Sequence, residues 1–196
     1  MGKRALFHRD DVINKAKDLY WEKGYHGTSM RALQDALDMR PGSIYAAFGS
    51  KDNLFKEAIQ RYAEEGGEIL NHSLQSSDSN IGGLKTFIKA IIIEGRGSAP
   101  SGMCMVVKSV AELTETDNPE LLALAKQLLG DVEAELASIL TKAIEAGEIR
   151  SGKDPIELAR YVQVQIIGLR TFARATNEVA LVEKFIDGIF EDGPFR

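Results

Sequence analysis

The sequence predicts an all-α protein in two parts, a small N-terminal unit of short helices and a larger C-terminal helical bundle. Three observations predict it. Apolar residues recur at helical spacing along nearly the whole chain, and strand alternation is almost absent. Residues 24–55 break into short helical segments joined by turns too tight for antiparallel packing. Residues 75–83 are then rich in Ser, Asn, Asp and Gly, and a second helical series begins beyond them.

In chain order, Val12, Ile13, Ala16, Leu19 and Tyr20 make one face of a first helix, which Gly24 ends. A second helix runs from about Thr28, a good N-cap, to Leu37. A third starts at Pro41, whose fixed φ and missing N–H suit a first helical position, and ends near Phe48. A fourth starts at Ser50 and continues to about Leu74. After the loop, Leu84, Phe87, Ile88, Ile91 and Ile92 form another stripe. Gly95, Gly97, Pro100 and Gly102 interrupt it, and a helix follows from about Met103 to Leu113. Asn118 and Pro119 open a long helix with Leu121, Leu124, Ala125, Leu128, Val132, Leu136, Ile139, Leu140 and Ala143 inside. Residues 146–155 close it. Two more helices are expected, from about Pro155 to Ala175 and from about Glu178 to Glu191, for about nine in all.

Composition excludes several classes. Apolar residues make up 44% of the chain and charged residues 27%, ordinary values for a soluble globular protein. One cysteine in 196 residues excludes an internal disulfide and a four-cysteine metal site. Met1 to Arg4 is basic without an apolar run behind it, so a secretory signal is not expected, and Leu6 stands where N-myristoylation wants Ser or Thr. No run spans a bilayer. The expected location is the cytoplasm. Net charge is −5, unevenly spread. Residues 1–65 carry 11 Lys and Arg against 10 Asp and Glu, a net of +1, with Lys3, Arg4 and Arg9 leading; the remainder carries 13 against 19, a net of −6. An acidic C-terminal part is compatible with a local phosphate-binding face in the N-terminal one.

Two short helices across a tight turn are the layout of a helix-turn-helix, whose second helix enters the DNA major groove. Ile44 and Phe48, four apart, should face the core and leave Ser43, Tyr45 and Ala46 outward. Tyr45 can reach a phosphate, Ala46 can touch a thymine methyl, and Gly42 lets backbone approach DNA without a Cβ. Arg31 and Arg40 are the strongest candidates for bonds to base or phosphate, and Thr28 marks a helix start that suits a phosphate. Lys51 sits just inside a helix N-terminus, where the dipole disfavours a cation unless an anion is bound there. Enzyme chemistry has little footing. His8, His26 and His72 are scattered; Glu68 and His72 are half a metal site without a second pair; the glycine clusters at 82–83 and 95–97 follow no strand. No catalytic residue, metal or cofactor is expected.

These residues closely resemble the TetR/AcrR family of bacterial transcriptional regulators across roughly residues 8–57. The resemblance is carried by Leu19 to Tyr25, by Thr28-Ser29, by Gly42 to Phe48 in the pattern G-x-[LIV]-Y-x-x-F, and by Ser50 to Phe55. It implies a homodimer with an N-terminal DNA-binding domain over 1–55, a connecting helix over 50–74, and a ligand-binding and dimerisation domain over 75–196. By position, Thr28, Arg31, Gly42, Ser43, Tyr45 and Lys51 match family DNA contacts. Asp38 stands where the family often has Gly, and Ala47 where it often has His. A second segment, Cys104 to Leu113, resembles one subset of the family in which the cysteine can sense oxidants or electrophiles.

The expected function is therefore a repressor of a near-palindromic operator, released by a small-molecule inducer. The alternatives are sensing through Cys104, or a ligand-binding dimer that does not bind DNA. Phe87, Ile91, Cys104, Val107, Gln165 and Phe172 are the expected lining of the ligand site. A ligand there is expected to act by tilting the fourth helix. Val179, Val182, Phe185, Ile186 and Ile189, with Gly168 on the preceding helix, form the expected dimer face.

Overall fold

A computed structural model describes residues 8–97 and 99–196; Lys3 and Arg4, and the readings on residues 1–6, lie outside the described residues. Nine α-helices occur among the described residues. They are α1 (Arg9–Gly27), α2 (Met30–Leu37), α3 (Pro41–Phe48), α4 (Lys51–Gln75), α5 (Asn80–Ile92), α6 (Met105–Glu112), α7 (Pro119–Glu145), α8 (Pro155–Thr176) and α9 (Val179–Gly188). Short 3₁₀ turns cover Glu94–Gly97 and Gly193–Phe195. None of the described helices is long and apolar enough to cross a membrane.

Most boundaries follow local chemistry. Ser50 and Ser79 each cap their helix by accepting a backbone N–H three residues on, and Asp154 accepts from Ile156. Pro41, Pro119 and Pro155 each occupy a first-turn position. The cap of α2 differs from expectation. Ser29, not Thr28, accepts the Ala32 N–H at 3.1 Å. Thr28 is fully buried and turns inward, donating its hydroxyl to Gly24 O at 2.6 Å. Gly24 breaks the helical path of α1 at φ 77°, ψ 173°, and one further turn follows it. Asp38 ends α2 in the left-handed region at φ 52°. Asp tolerates that region better than most non-glycine residues, because its short side chain can bond locally.

Two apolar cores form. The first joins α1–α4 through Leu33, Leu37, Ile44, Phe48, Leu54 and Phe55, and also takes in Met105, Val106, Leu121, Leu122 and Ala125. Hence α6 and the first turns of α7 pack with the N-terminal helices. The second core joins the end of α4, α5, the rest of α7, α8, α9 and Phe195. Each fully buried Leu or Phe contributes about 1.5–3 kcal/mol of hydrophobic stabilisation. α4 runs through both cores and ties them together.

Candidate DNA interface and ligand cavity

α3 presents the surface its spacing predicts. Ile44 and Phe48 are buried, and Arg40, Gly42, Ser43, Tyr45 and Ala46 are exposed. Tyr45 is 49% exposed, a large ring without cover. No atom lies within 4 Å of a Cβ built on Gly42, so packing does not require glycine there. Arg31 is exposed on the first turn of α2.

A set of contacts that spacing alone does not reveal holds α3 in place. Arg9 donates to Ala47 O at 2.9 Å, pairs with Glu57 and lies over the Phe48 ring at 4.5 Å. It therefore ties the last turn of α3 to α1 and α4, where a cation also suits the helix dipole. Lys17, buried on α1, reaches both oxygens of Glu65 at 2.6 Å.

Lys51 resolves its own anomaly. Its Nζ points back to Tyr25 O at 2.8 Å, in the last turn of α1, and sits 4.1 Å from the Tyr25 ring centre. The Tyr25 hydroxyl donates to Asp52 at 2.6 Å, and the Tyr20 hydroxyl to Lys51 O at 3.2 Å. Partial burial lowers the Lys51 pKa, against the pull of Asp52 and Glu112. The start of α4 thus grips the end of α1, and Lys51 has an internal role whatever else it touches.

From the other side, α6 holds the same end of α1. Lys108 donates to Trp21 O at 2.6 Å and Glu22 O at 3.0 Å. The Trp21 indole donates to Met103 O at 2.6 Å. The Glu112 carboxylate accepts the N–H groups of Tyr25 at 2.7 Å and His26 at 3.4 Å. α6 and Met103 just ahead of it therefore clamp the segment that leads into α2 and α3.

A cavity of about 420 Å³ lies between α4, α5, α6, α7 and α8, with Trp21 at its α1 side. Of the six residues expected around a ligand, Phe87, Ile91, Cys104 and Val107 line this cavity. Gln165 and Phe172 do not; Phe172 packs edge-on against Phe185. The α8 wall is instead Gln163, Ile166, Ile167 and Arg170, one face round the helix. α4 adds Tyr62, Gly66, Gly67 and Leu70, which spacing did not mark. Val132, expected inside α7, is exposed at the cavity wall. Cys104 is half-buried and stands beside the Tyr62 hydroxyl.

The expected dimer stripe divides in two. Val182, Ile186 and Ile189 are buried in this chain's own second core. Val179 and Phe185 stay exposed, and α8 adds Val164, 64% exposed, with an uncrowded Gly168. The outward apolar face therefore belongs to α8 and α9 together, but not along the whole α9 stripe.

Comparison with known proteins agrees with this architecture. Residues 12–58 match the domain family "Bacterial regulatory proteins, tetR family", and residues 82–189 match "Tetracyclin repressor-like, C-terminal domain". The chain is 27% identical to the uncharacterized HTH-type transcriptional regulator YezE of Bacillus subtilis, over 95% of this chain and 96% of that protein. It is 25% identical to the HTH-type transcriptional repressor ComR of Escherichia coli, over 94% and 87%. It superposes with a TM-score of 0.82 on a cysteine mutant of the TetR family regulator CifR complexed with 26-bp operator DNA, at 26% identity over 95% of this chain and 98% of that one. The family is one of regulators, not enzymes. With an exposed recognition helix, matches across both parts of the chain and full-length regulator relatives, this protein belongs to the TetR family of bacterial DNA-binding transcriptional regulators.

Proposed function

We propose that the chain is a homodimeric cytoplasmic repressor, released from its operator by a small molecule bound in the cavity. The observation that carries this reading is the position of α6. Cys104, Val106 and Val107 line the cavity at its start, while Lys108 and Glu112 further along it hold the end of α1. A ligand that shifts α6 or α4 changes the support of α2 and α3 at once. Residues 1–55 are the DNA-binding part in this reading, with α4 as connection and 75–196 for ligand and dimer. Arg31, Arg40, Gly42, Ser43, Tyr45 and Ala46 form the DNA face; Thr28 acts from within, by shaping the turn, and Lys51 supports the same turn. Repression is carried over from relatives such as ComR.

Two subunits paired through α8 and α9 present two recognition helices about one DNA turn apart, roughly 34–36 Å, so the operator should be a near-palindrome. To move the protein from 1% to 99% DNA-released, the ligand must favour the released state by about 5.5 kcal/mol. An electrophoretic shift with DNA upstream of the chain's own gene tests the reading. A saturable, salt-sensitive shift is expected, weakened by Tyr45→Ala. No shift at micromolar protein would refute it.

One observation favours a second mode of release. The Cys104 thiol is on the cavity wall beside Tyr62. An electrophile entering the cavity meets it, and Cys104→Ser then abolishes release by an α,β-unsaturated aldehyde. Equal release from both proteins would remove this mode.

A further inference from the structure

The walls of the cavity are mostly apolar, with one cation set among them. Arg170 reaches in from α8 and donates to the Tyr62 hydroxyl through Nη1 at 3.2 Å. Its Nε is buried without a hydrogen-bond partner. None of the ion pairs among the described residues includes Arg170. Tyr62 does not neutralise it. Burial, then the neighbouring Cys104, push that phenol up despite the opposing pull of Arg170, so it stays uncharged. Three carboxylates also touch the cavity. Glu65 is held by Lys17, while Asp131 and Glu135 are exposed on α7, where water screens them. The uncompensated charge in the drier part of the cavity is therefore positive.

A half-buried guanidinium with no ion-pair partner and a buried, unpaired Nε is costly without an anion, and its planar fork matches a carboxylate. Apolar walls around it want hydrocarbon. We propose that the cavity takes an apolar molecule ending in a carboxylate, with the acid group on Arg170 and the hydrocarbon against Phe87, Ile91, Leu128 and Ile166. This rests on the ligand-response reading above and names the chemical class of the ligand.

The test uses the full chain and its single tryptophan, Trp21, which lines the cavity and reports binding by fluorescence. The probes are decanoate, decanol and decyltrimethylammonium, each below micelle-forming concentration. Decanoate should bind at least tenfold tighter than decanol, the range expected for a hydrogen bond to a charged group, with decyltrimethylammonium weakest. Affinity should rise roughly fourfold per methylene from hexanoate upward until the cavity is full. Arg170→Gln, its fold checked by circular dichroism and thermal unfolding, should lose the preference for decanoate over decanol, and Arg170→Lys should retain part of it. Equal affinity for acid and alcohol, tighter binding of the ammonium, or no binding of any probe overturns the proposal. The wild-type comparison decides the matter even if the Gln variant does not fold. A gel shift on the same samples separates the two readings. Arg170-dependent decanoate binding without DNA release leaves the carboxylate site standing and refutes the inducer role. Release by decanol or the ammonium, with no preference for the acid, does the reverse.

Discussion

Gly24→Ala should destabilise the chain by about 3–5 kcal/mol, far more than an alanine for glycine exchange in a free loop. Two separate costs add. At φ 77° and ψ 173° Gly24 occupies a region open almost only to glycine, and a side chain there costs about 1–3 kcal/mol. The new Cβ would also stand 2.6 and 3.0 Å from the two Glu112 carboxylate oxygens. The flexible carboxylate can withdraw, but it then gives up the N–H groups of Tyr25 and His26. Hydrogen bonds to a charged group are worth about 1.5–3 kcal/mol. Glu112→Ala alone should show only that second cost. In the Glu112→Ala background, Gly24→Ala should show only the first, so the double-mutant cycle should return a coupling of about 1.5–3 kcal/mol. Urea unfolding at one fixed protein concentration, with an unchanged m-value, measures all four corners. A loss below about 1 kcal/mol for Gly24→Ala, or additivity within about 0.5 kcal/mol, would refute the reasoning.

Tyr45→Ala should weaken DNA binding at all sequences and leave stability within about 0.5 kcal/mol, since the ring is exposed; Lys51→Ala should lower both, because it also loses the Tyr25 carbonyl. A Lys51→Ala protein of unchanged stability would show that the contact to Tyr25 carries little. Val164→Glu should yield monomers by light scattering at micromolar concentration with full helical content, and a persistent dimer would rule out the α8–α9 face. Gly66→Ala and Gly67→Ala should each stabilise α4 by about 0.5–1 kcal/mol in thermal unfolding, because open space surrounds both, while narrowing the cavity; a destabilised protein would contradict that. Glu148→Gln should destabilise at neutral pH and not in acid. Slight burial pushes the Glu148 carboxyl up, but N–H donors from Ile81 and Asn80 outweigh it and hold the pKa below the ordinary value. A depressed folded-state pKa stabilises above the unfolded value, about 4.3, and this stabilisation fades as pH falls through the folded one. Unfolding midpoints of the two proteins that differ by the same amount at pH 7 and pH 3 would contradict the assignment.

Helix order was readable because each helix carries local marks: Pro41, Pro119 and Pro155 at starts, Ser50 at a cap, Ile44 and Phe48 at core spacing. Where two such marks stood side by side, Thr28 and Ser29, spacing could not say which hydroxyl faced the open turn and which was drawn inward by Gly24 O. α8 shows the harder limit. Ile156, Val164 and Ile167 interrupt its polar side, which carries Glu157, Arg160, Gln163, Arg170, Thr171 and Arg174, because one helix serves a core, a cavity and an outward apolar surface together. A hydrophobic stripe marks a face only when the opposite face is polar, so Gln165 was as plausible a lining residue as Gln163. The junction was least readable of all. Glu112 lies 87 residues from Tyr25, and Lys108 lies 87 from Trp21. Each is an ordinary charge on a short helix until α6 packs across the end of α1. The same packing makes α6 a shared wall, touching the cavity at Cys104, Val106 and Val107 and the helix-turn-helix support at Lys108 and Glu112. The proposed release by a ligand requires that the ligand distinguish two arrangements of the DNA-binding unit. The element that can feel both is the one whose contacts are furthest apart in sequence.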